Sequence, residues 1–290
     1  MNTIWSKHIQ GIYTLYYSRK LRFHDVFSQE YKALFQLEEG KKLKILEIGC
    51  GPGALAEALH HWYPNAEITA IDRDSAFIEF AKANTQGIEF IEGDATKLPF
   101  SDNTFDVTIS HTVSEHIAPS LFYEEQRRVL KDGGICLVLS SRKGISHTSP
   151  LLEESEVEKR FWAKAHTLEN LMEKYSIGQY ALNEMELPIT MERFHFHNVS
   201  TNYITLNLTP DSPTTPSTMA RDIINANRYN DLEAVDAVYN TSPEQFSLEE
   251  VSEMKKLIHE KYDRRLHDYE CGIKHWDMSL PLLMIIRGTK

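Results

Sequence analysis

Lys44-Ile45-Leu46-Glu47-Ile48-Gly49-Cys50-Gly51-Pro52-Gly53 is the stretch whose reading decides the fold. An apolar run from Leu43 to Ile48 ends in glycines, and Ala54-Leu55-Ala56-Glu57-Ala58-Leu59 follows. Such a pattern specifies strand, tight turn, helix. Glycine suits the turn because it tolerates positive φ and lacks the Cβ that would hold a ligand off the backbone. The free N–H groups opening the helix then face whatever lies over the turn. This predicts a nucleotide-type site at the carboxyl end of a first strand. Gly49-x-Gly51-x-x-Ala54 also satisfies a dinucleotide fingerprint. On the glycines alone, nicotinamide binding and a turn without ligand both stay open.

Outward from this turn, strand and helix alternate with little wasted length. Strands are expected at 43–48, 67–71, 88–92, 105–110 and 134–140, with helices at 54–62, 74–84 and 119–130. That is the signature of an α/β fold with a doubly wound, mostly parallel sheet. Near-continuous runs such as Ile135-Cys136-Leu137-Val138-Leu139 fit strands covered on both faces. After Ser141 the spacing predicts a helix over 153–175, a shorter one over 187–194 and a strand over 199–208. The prolines of Thr209-Pro210-Asp211-Ser212-Pro213-Thr214-Thr215-Pro216-Ser217 break regular structure and read as a linker. Two helices follow, at 218–240 and 247–270, the second opened by a capping box of Ser247 and Glu250. Leu280 to Gly288 is a last buried strand.

Residues 1–40 are aromatic and amphipathic and read as a helical extension. As a lid over the glycine turn, this segment offers Tyr16, Tyr17 and Arg22 to a carboxylate, for which a guanidinium is well shaped.

Bulk properties narrow the function classes. The 42 acidic and 31 basic residues leave a net charge of −11, which argues against a nucleic-acid partner, since such binders gain affinity by neutralising phosphates. Cys50, Cys136 and Cys271 form no C-x-x-C pair, so neither a disulfide framework nor a zinc site is expected. The opening residues lack the apolar core of a signal peptide, and no run reaches membrane-spanning length. A cytoplasmic protein acting on a small molecule, without a membrane partner, is the expectation. Oligomeric state is left open.

Open α/β sheets bind ligands at the carboxyl ends of their strands. Besides Glu47 and the glycines, two acidic sites fall there. Asp72, 21 residues beyond Gly51, stands where such folds accept hydrogen bonds from ribose hydroxyls, while Asp74 reads as the cap of the next helix. In Glu92-Gly93-Asp94-Ala95, a carboxylate beside a main-chain N–H can read the amino group and ring nitrogen of an adenine together. A dehydrogenase has no need of that pair.

With these pieces in order, the chain resembles the class I S-adenosylmethionine-dependent methyltransferases, in the ubiquinone/menaquinone-biosynthesis-like (type 11) group. The resemblance rests on Leu46 to Gly53, Ala70-Ile71-Asp72, Gly93-Asp94-Ala95, Leu98-Pro99-Phe100 with Phe105-Asp106-Val107, and Arg128-Val129-Leu130-Lys131-Asp132-Gly133-Gly134. It covers roughly residues 43–140. It implies a Rossmann-like methyltransferase fold with an antiparallel last strand inserted between two others. Residues 41–208 and 280–290 would then form the S-adenosylmethionine-binding domain, and 209–279 a helical insertion making a cap with 1–40.

The resemblance also distributes roles. Gly49 and Gly51 approach the methionine part, Glu47 its amino group, Asp72 the ribose, Arg73 the flank of the adenine, and Asp94 with Ala95 its edge. Ser110 and His111 lie beside the sulfonium. The implied reaction is in-line methyl transfer to a small molecule, leaving S-adenosylhomocysteine. If the acceptor must lose a proton, His111, Glu115 and His116 are the bases on offer, with the two histidines as the catalytic expectation. His195-Phe196-His197 is not read as a metal pair, because no acidic partner is fixed nearby. A protein methyltransferase, a non-catalytic S-adenosylmethionine-binding protein and, remotely, an NAD-dependent oxidoreductase remain alternatives. The acceptor itself is not legible.

Overall fold

A computed structural model describes residues 4–166, 168 and 171–290. Seven strands form one sheet in the order β3-β2-β1-β4-β5-β7-β6. They are β1 (Lys44–Ile48), β2 (Glu67–Asp72), β3 (Glu89–Glu92), β4 (Phe105–His111), β5 (Leu130–His147), β6 (His197–Thr205) and β7 (Met278–Thr289). The first five run parallel. β7 is inserted antiparallel between β5 and β6, as the resemblance implies. The strand order reverses at β1, whose neighbours are β2 and β4, so the switch point falls at the glycine turn.

Helices α1 (Ile12–Arg22), α2 (Ser28–Phe35), α3 (Ala54–Trp62), α4 (Ser75–Asn84) and α5 (Pro119–Val129) come first, preceded by a π-helical turn at Trp5–Ile9. α6 (Glu156–Ala165), α7 (Leu171–Lys174), α8 (Glu186–Arg193), α9 (Ser217–Thr241) and α10 (Leu248–Glu270) follow. The single helix expected over 153–175 is thus replaced by α6 and α7, and residues 167, 169 and 170 of that range lie outside the described residues, as do 1–3 of the expected lid.

Two sequence motifs turn out to brace the loop after β3. Arg128 donates to the carbonyls of Leu98 (3.0 Å) and Phe100 (2.7 Å), and Glu125 accepts the Leu98 N–H at 2.7 Å. Charge-assisted bonds of this kind are the stronger ones, and they hold the segment that carries Asp94.

The N-terminal forty residues divide in two. Phe23, Tyr31 and Phe35 are buried in the core over β1 and α3, with Tyr31 stacked on Trp62 at 5.3 Å. α1 instead lies against α9. Its first turn has no side-chain cap of its own, and Glu233 of α9 supplies one by accepting the N–H groups of Tyr13 (3.1 Å) and Thr14 (2.7 Å). A carboxylate there also opposes the positive end of the helix dipole.

The insertion carries its own apolar cluster, in which Phe161 of α6 packs with Ile224, Val235, Phe246, Met254 and Ile258 of the α9–α10 segment. Leu152, Phe161, Trp162, Ala165 and Leu168, placed by sequence with the sheet, therefore pack with the insertion. One buried arginine ties the insertion down. Arg265 is fully buried and donates to Asp277 (2.7 Å) and Asp211 (2.9 Å), which stand at the two ends of 209–279.

Candidate active site

The glycine turn is shaped by close approach. Gly49 has φ +68°, and a Cβ there would sit 2.4 Å from the Val113 side chain. Gly51 has φ +54°, and its N–H donates to Asp72 Oδ2 at 2.8 Å. The other carboxylate oxygen of Asp72 accepts the Asp74 N–H at 2.9 Å. Burial pushes the Asp72 carboxyl above the ordinary range, and these two N–H donors work against that shift. Asp74 caps α4 through the Ala76 N–H at 3.0 Å and also accepts the Ser6 N–H and hydroxyl. That pair fastens the π-helical turn to the mouth of the site.

Over the turn lies a cavity of about 330 Å³. The sequence-expected residues Gly49, Gly51, Asp72, Arg73, Asp94, Ala95 and His116 all line it. Asp94 Oδ1 accepts both the N–H and the hydroxyl of Thr96 at 2.8 Å, and among the described residues its second oxygen has no partner. Among the described residues the Ala95 N–H meets no acceptor, so the carboxylate–N–H pair is available to a ligand.

Ser110 and His111 do not reach this cavity. β4 runs one residue further than expected and ends at His111, which keeps both inside the covered sheet; both are fully buried, with side chains unpartnered among the described residues. The chain leaves the strand at Thr112, which has φ +55° and lines the cavity with Val113. The His111 ring packs edge-on against Phe23 at 5.0 Å. Burial, then Arg19 and Arg22, holds its pKa well below the usual histidine range.

His116 is at the cavity but is poorly made for proton abstraction. Its Nδ1 lies 3.0 Å from the Gly178 N–H, so the neutral ring accepts there and carries its proton on Nε2. Burial, with Arg73 and Arg19 behind it, brings its pKa down to about 4. Glu115 lies outside the cavity lining, and burial raises its carboxyl. The expectation of a histidine base is therefore corrected: His111 is sealed off and the free lone pair of His116 is taken.

Tyr16, Tyr17 and Arg22 are also placed elsewhere. The Tyr16 hydroxyl donates to Glu57 at 2.9 Å, Tyr17 stacks on Tyr229 at 4.9 Å, and Arg22 lines a second cavity under the cap. From α1 the cofactor-sized cavity receives Leu15 and Arg19 instead, with Trp5 contributed by the preceding turn. Arg19, absent from the sequence reading, is the charged cavity-lining residue that reading missed. It is buried, donates to the His111 carbonyl (3.2 Å) and Thr112 Oγ1 (2.6 Å), and keeps an unpartnered Nε. Burial lowers its pKa to about 10, which leaves it protonated at neutral pH. Its one sequence signal is a charge four residues after Leu15, on the same helical stripe.

Glu47 lies beneath the turn, fully buried, with both carboxylate oxygens unpartnered. Burial pushes its pKa up to about 8, against the pull of the Arg19 charge.

A parallel sheet with this switch point, an inserted antiparallel strand and acidic residues ending β2 and following β3 defines the class I methyltransferase-like fold. Residues 46–138 match the family model described as a methyltransferase domain. Over 108 residues it is 39% identical to the fatty-acid O-methyltransferase of Mycolicibacterium smegmatis, covering 36% of this chain and 38% of that protein. Over 101 residues it is 38% identical to the ubiquinone/menaquinone biosynthesis C-methyltransferase of Desulfotalea psychrophila, covering 34% and 41%. The chain thus spans about two fifths of the length of these relatives. In fold it resembles phosphoethanolamine N-methyltransferase 2 of Haemonchus contortus, solved with S-adenosyl-L-methionine. The TM-score is 0.53 at 16% identity, over 99% of this chain and 59% of that one.

Proposed function

We propose that the protein transfers a methyl group from S-adenosylmethionine to a small-molecule acceptor by in-line displacement. The observation that carries this reading is the convergence of Asp72, Asp94, the Ala95 N–H and the glycine turn on one cavity of about 330 Å³. Asp72 takes the ribose hydroxyls, Asp94 and the Ala95 N–H take the adenine edge, and Arg73 flanks the ring. Gly49 and Gly51 let the methionine part lie against the backbone. Glu47, with two unused oxygens, faces the amino end, and Arg19, with an unused Nε, faces the carboxylate. Bound S-adenosylmethionine supplies an activated methyl whose bonding pair stays on sulfur, leaving a neutral thioether.

The chain's own contribution is alignment and exclusion of water. Holding reacting atoms in line contributes about 7–11 kcal/mol to such reactions. Among the described residues lining the cavity, His116 has its Nδ1 lone pair engaged by the Gly178 N–H, and Asp72 and Asp94 are assigned to the adenosine, so the acceptor atom either arrives deprotonated or loses its proton after the methyl has moved. The fatty-acid and quinone relatives, named for small acceptors, agree with a small-molecule substrate.

Calorimetric titration with S-adenosylhomocysteine and with NAD tests the cofactor. Binding of the first and not the second is expected, and replacing Asp72 and Asp94 together by Ala weakens it a hundredfold or more, at about 1.5–3 kcal/mol per charged acceptor. NAD binding, or affinity for S-adenosylhomocysteine that survives the double replacement, refutes the reading.

A further inference from the structure

Beneath the cap, next to the cofactor-sized cavity, is a larger one of about 920 Å³. It is bounded by α1, α6, α9, α10 and the facing ends of β5 and β7. α1 is the wall the two spaces have in common. Leu15 and Arg19 form one stripe along it, and Thr14, Ser18 and Arg22, again four residues apart, form the adjoining stripe. The second cavity therefore borders the first along the length of one helix.

The charged groups of this second cavity are unequal: His147, Glu153, Glu154 and Lys159 are exposed at its rim, and the others are buried or half-buried. Glu158 is held by Lys261 at 2.8 Å, Asp277 by Arg265 at 2.7 Å, and Asp231 accepts the Tyr262 hydroxyl at 2.8 Å. Arg22 differs from all of them. It is partly buried, and among the described residues its guanidinium makes no hydrogen bond and no ion pair. Burial lowers its pKa, and no carboxylate opposes the shift. A desolvated guanidinium in a chain with 42 acidic residues would ordinarily have recruited one of them. On α1, Arg22 stands one turn beyond Arg19, which lines the cofactor-sized cavity.

We propose that the cap cavity seats the methyl acceptor and that this acceptor is an organic anion, a carboxylate or phosphate monoester, whose charge is received by Arg22. The proposal rests on the methyl-transfer reading and deepens it by naming the substrate class. The fork of the guanidinium matches two oxygens of either group. If a carboxylate oxygen is itself the nucleophile, its lone pair forms the O–CH3 bond as the C–S bond breaks onto sulfur, and no proton moves. The body of the acceptor has an apolar wall at Leu21, Leu208 and Ile223 and amide groups at Asn227 and Asn230.

The test titrates octanoate, octyl phosphate and the uncharged octanamide into protein saturated with S-adenosylhomocysteine, in wild type, Arg22→Gln and Arg22→Lys. At least one anion should bind tenfold or more tightly than octanamide, and the better of the two names the headgroup. Arg22→Gln should erase that preference and Arg22→Lys retain part of it, with octanamide affinity and thermal midpoint unchanged. Equal binding of anions and amide, an anion preference that survives Arg22→Gln, or no binding of any probe overturns the proposal. Failure of the cofactor reading shows separately, in the initial titration with S-adenosylhomocysteine. Should that titration be flat, the same probes in the free protein still judge Arg22.

Discussion

Replacing Arg19 by Met removes the guanidinium from the cofactor-sized cavity while keeping the aliphatic stem that packs in α1. Arg19 makes two donor contacts inside the chain, at 3.2 and 2.6 Å, and leaves Nε unused. If that group and its charge receive the methionine carboxylate, the loss is that of a charge-assisted hydrogen bond, about 1.5–3 kcal/mol, or roughly 10- to 150-fold in affinity. The measurement is calorimetric and uses two ligands. S-adenosylhomocysteine carries the amino-acid portion, and 5′-methylthioadenosine keeps the adenosine and sulfur without it. Arg19→Met should weaken the first by that factor and leave the second within about twofold, since Asp72, Asp94 and the glycine turn are untouched. The neighbouring Glu47 limits collateral damage. Losing Arg19 removes the charge that lowers its pKa, so it stays protonated and carries no buried charge near pH 7. A parallel loss for both ligands would make Arg19 a brace of the β4 end only. Undiminished binding of S-adenosylhomocysteine would remove it from the site altogether.

Glu47→Gln tests linkage in the unliganded protein. The Glu47 pKa is raised to about 8 in the fold, so the neutral acid favours folding at low pH, and that contribution is lost as pH rises from about 4.5 toward 8. Thermal melting across this window should show the wild type losing stability relative to the glutamine variant, by on the order of a few kcal/mol. Parallel curves would mean that Glu47 is already ionised in the fold. His116→Gln should keep turnover within about fivefold at saturating cofactor, whereas loss of a true general base costs about 10²–10⁴. A drop of that size, measured as methyl transfer against pH, would reinstate the base. Arg265→Ala strands the buried Asp277 carboxylate, leaves Asp211 only the N–H groups of His275 and Trp276, and should destabilise by about 3–5 kcal/mol, read as denaturant midpoint. A change under 1 kcal/mol would show that water reaches the pair.

The alternation of strand and helix, the glycine turn and the Asp72 and Asp94 positions were legible because each is written locally, as an apolar run followed by residues with special backbone or charge. The lid face was not. α1 is rich in tyrosine, and which stripe turns inward is set by Tyr229 and Glu233, more than two hundred residues away. The sequence reading therefore favoured the visible aromatics Tyr16 and Tyr17 over Leu15 and Arg19. The end of β4 was missed by one residue: the strand runs on through His111, so Ser110 and His111 lie on alternate faces inside the covered sheet instead of at the strand's mouth. α6 was assigned to the sheet because its stripe is apolar in either setting; only Phe246 and Ile224, packed on Phe161, show which partner it has.

Leu208 and Ser279 face each other across a backbone bridge, N–H to carbonyl in both directions at 2.9 and 3.2 Å. Seventy residues leave and re-enter the sheet through that single doorway, latched by Arg265 to Asp211 and Asp277. A detour that starts and finishes at one rung of a ladder can be lengthened, shortened or swapped without shifting the register on either side. The cap is in this sense a cartridge. Its bore can be exchanged for another while the loading chamber at the glycine turn keeps its dimensions.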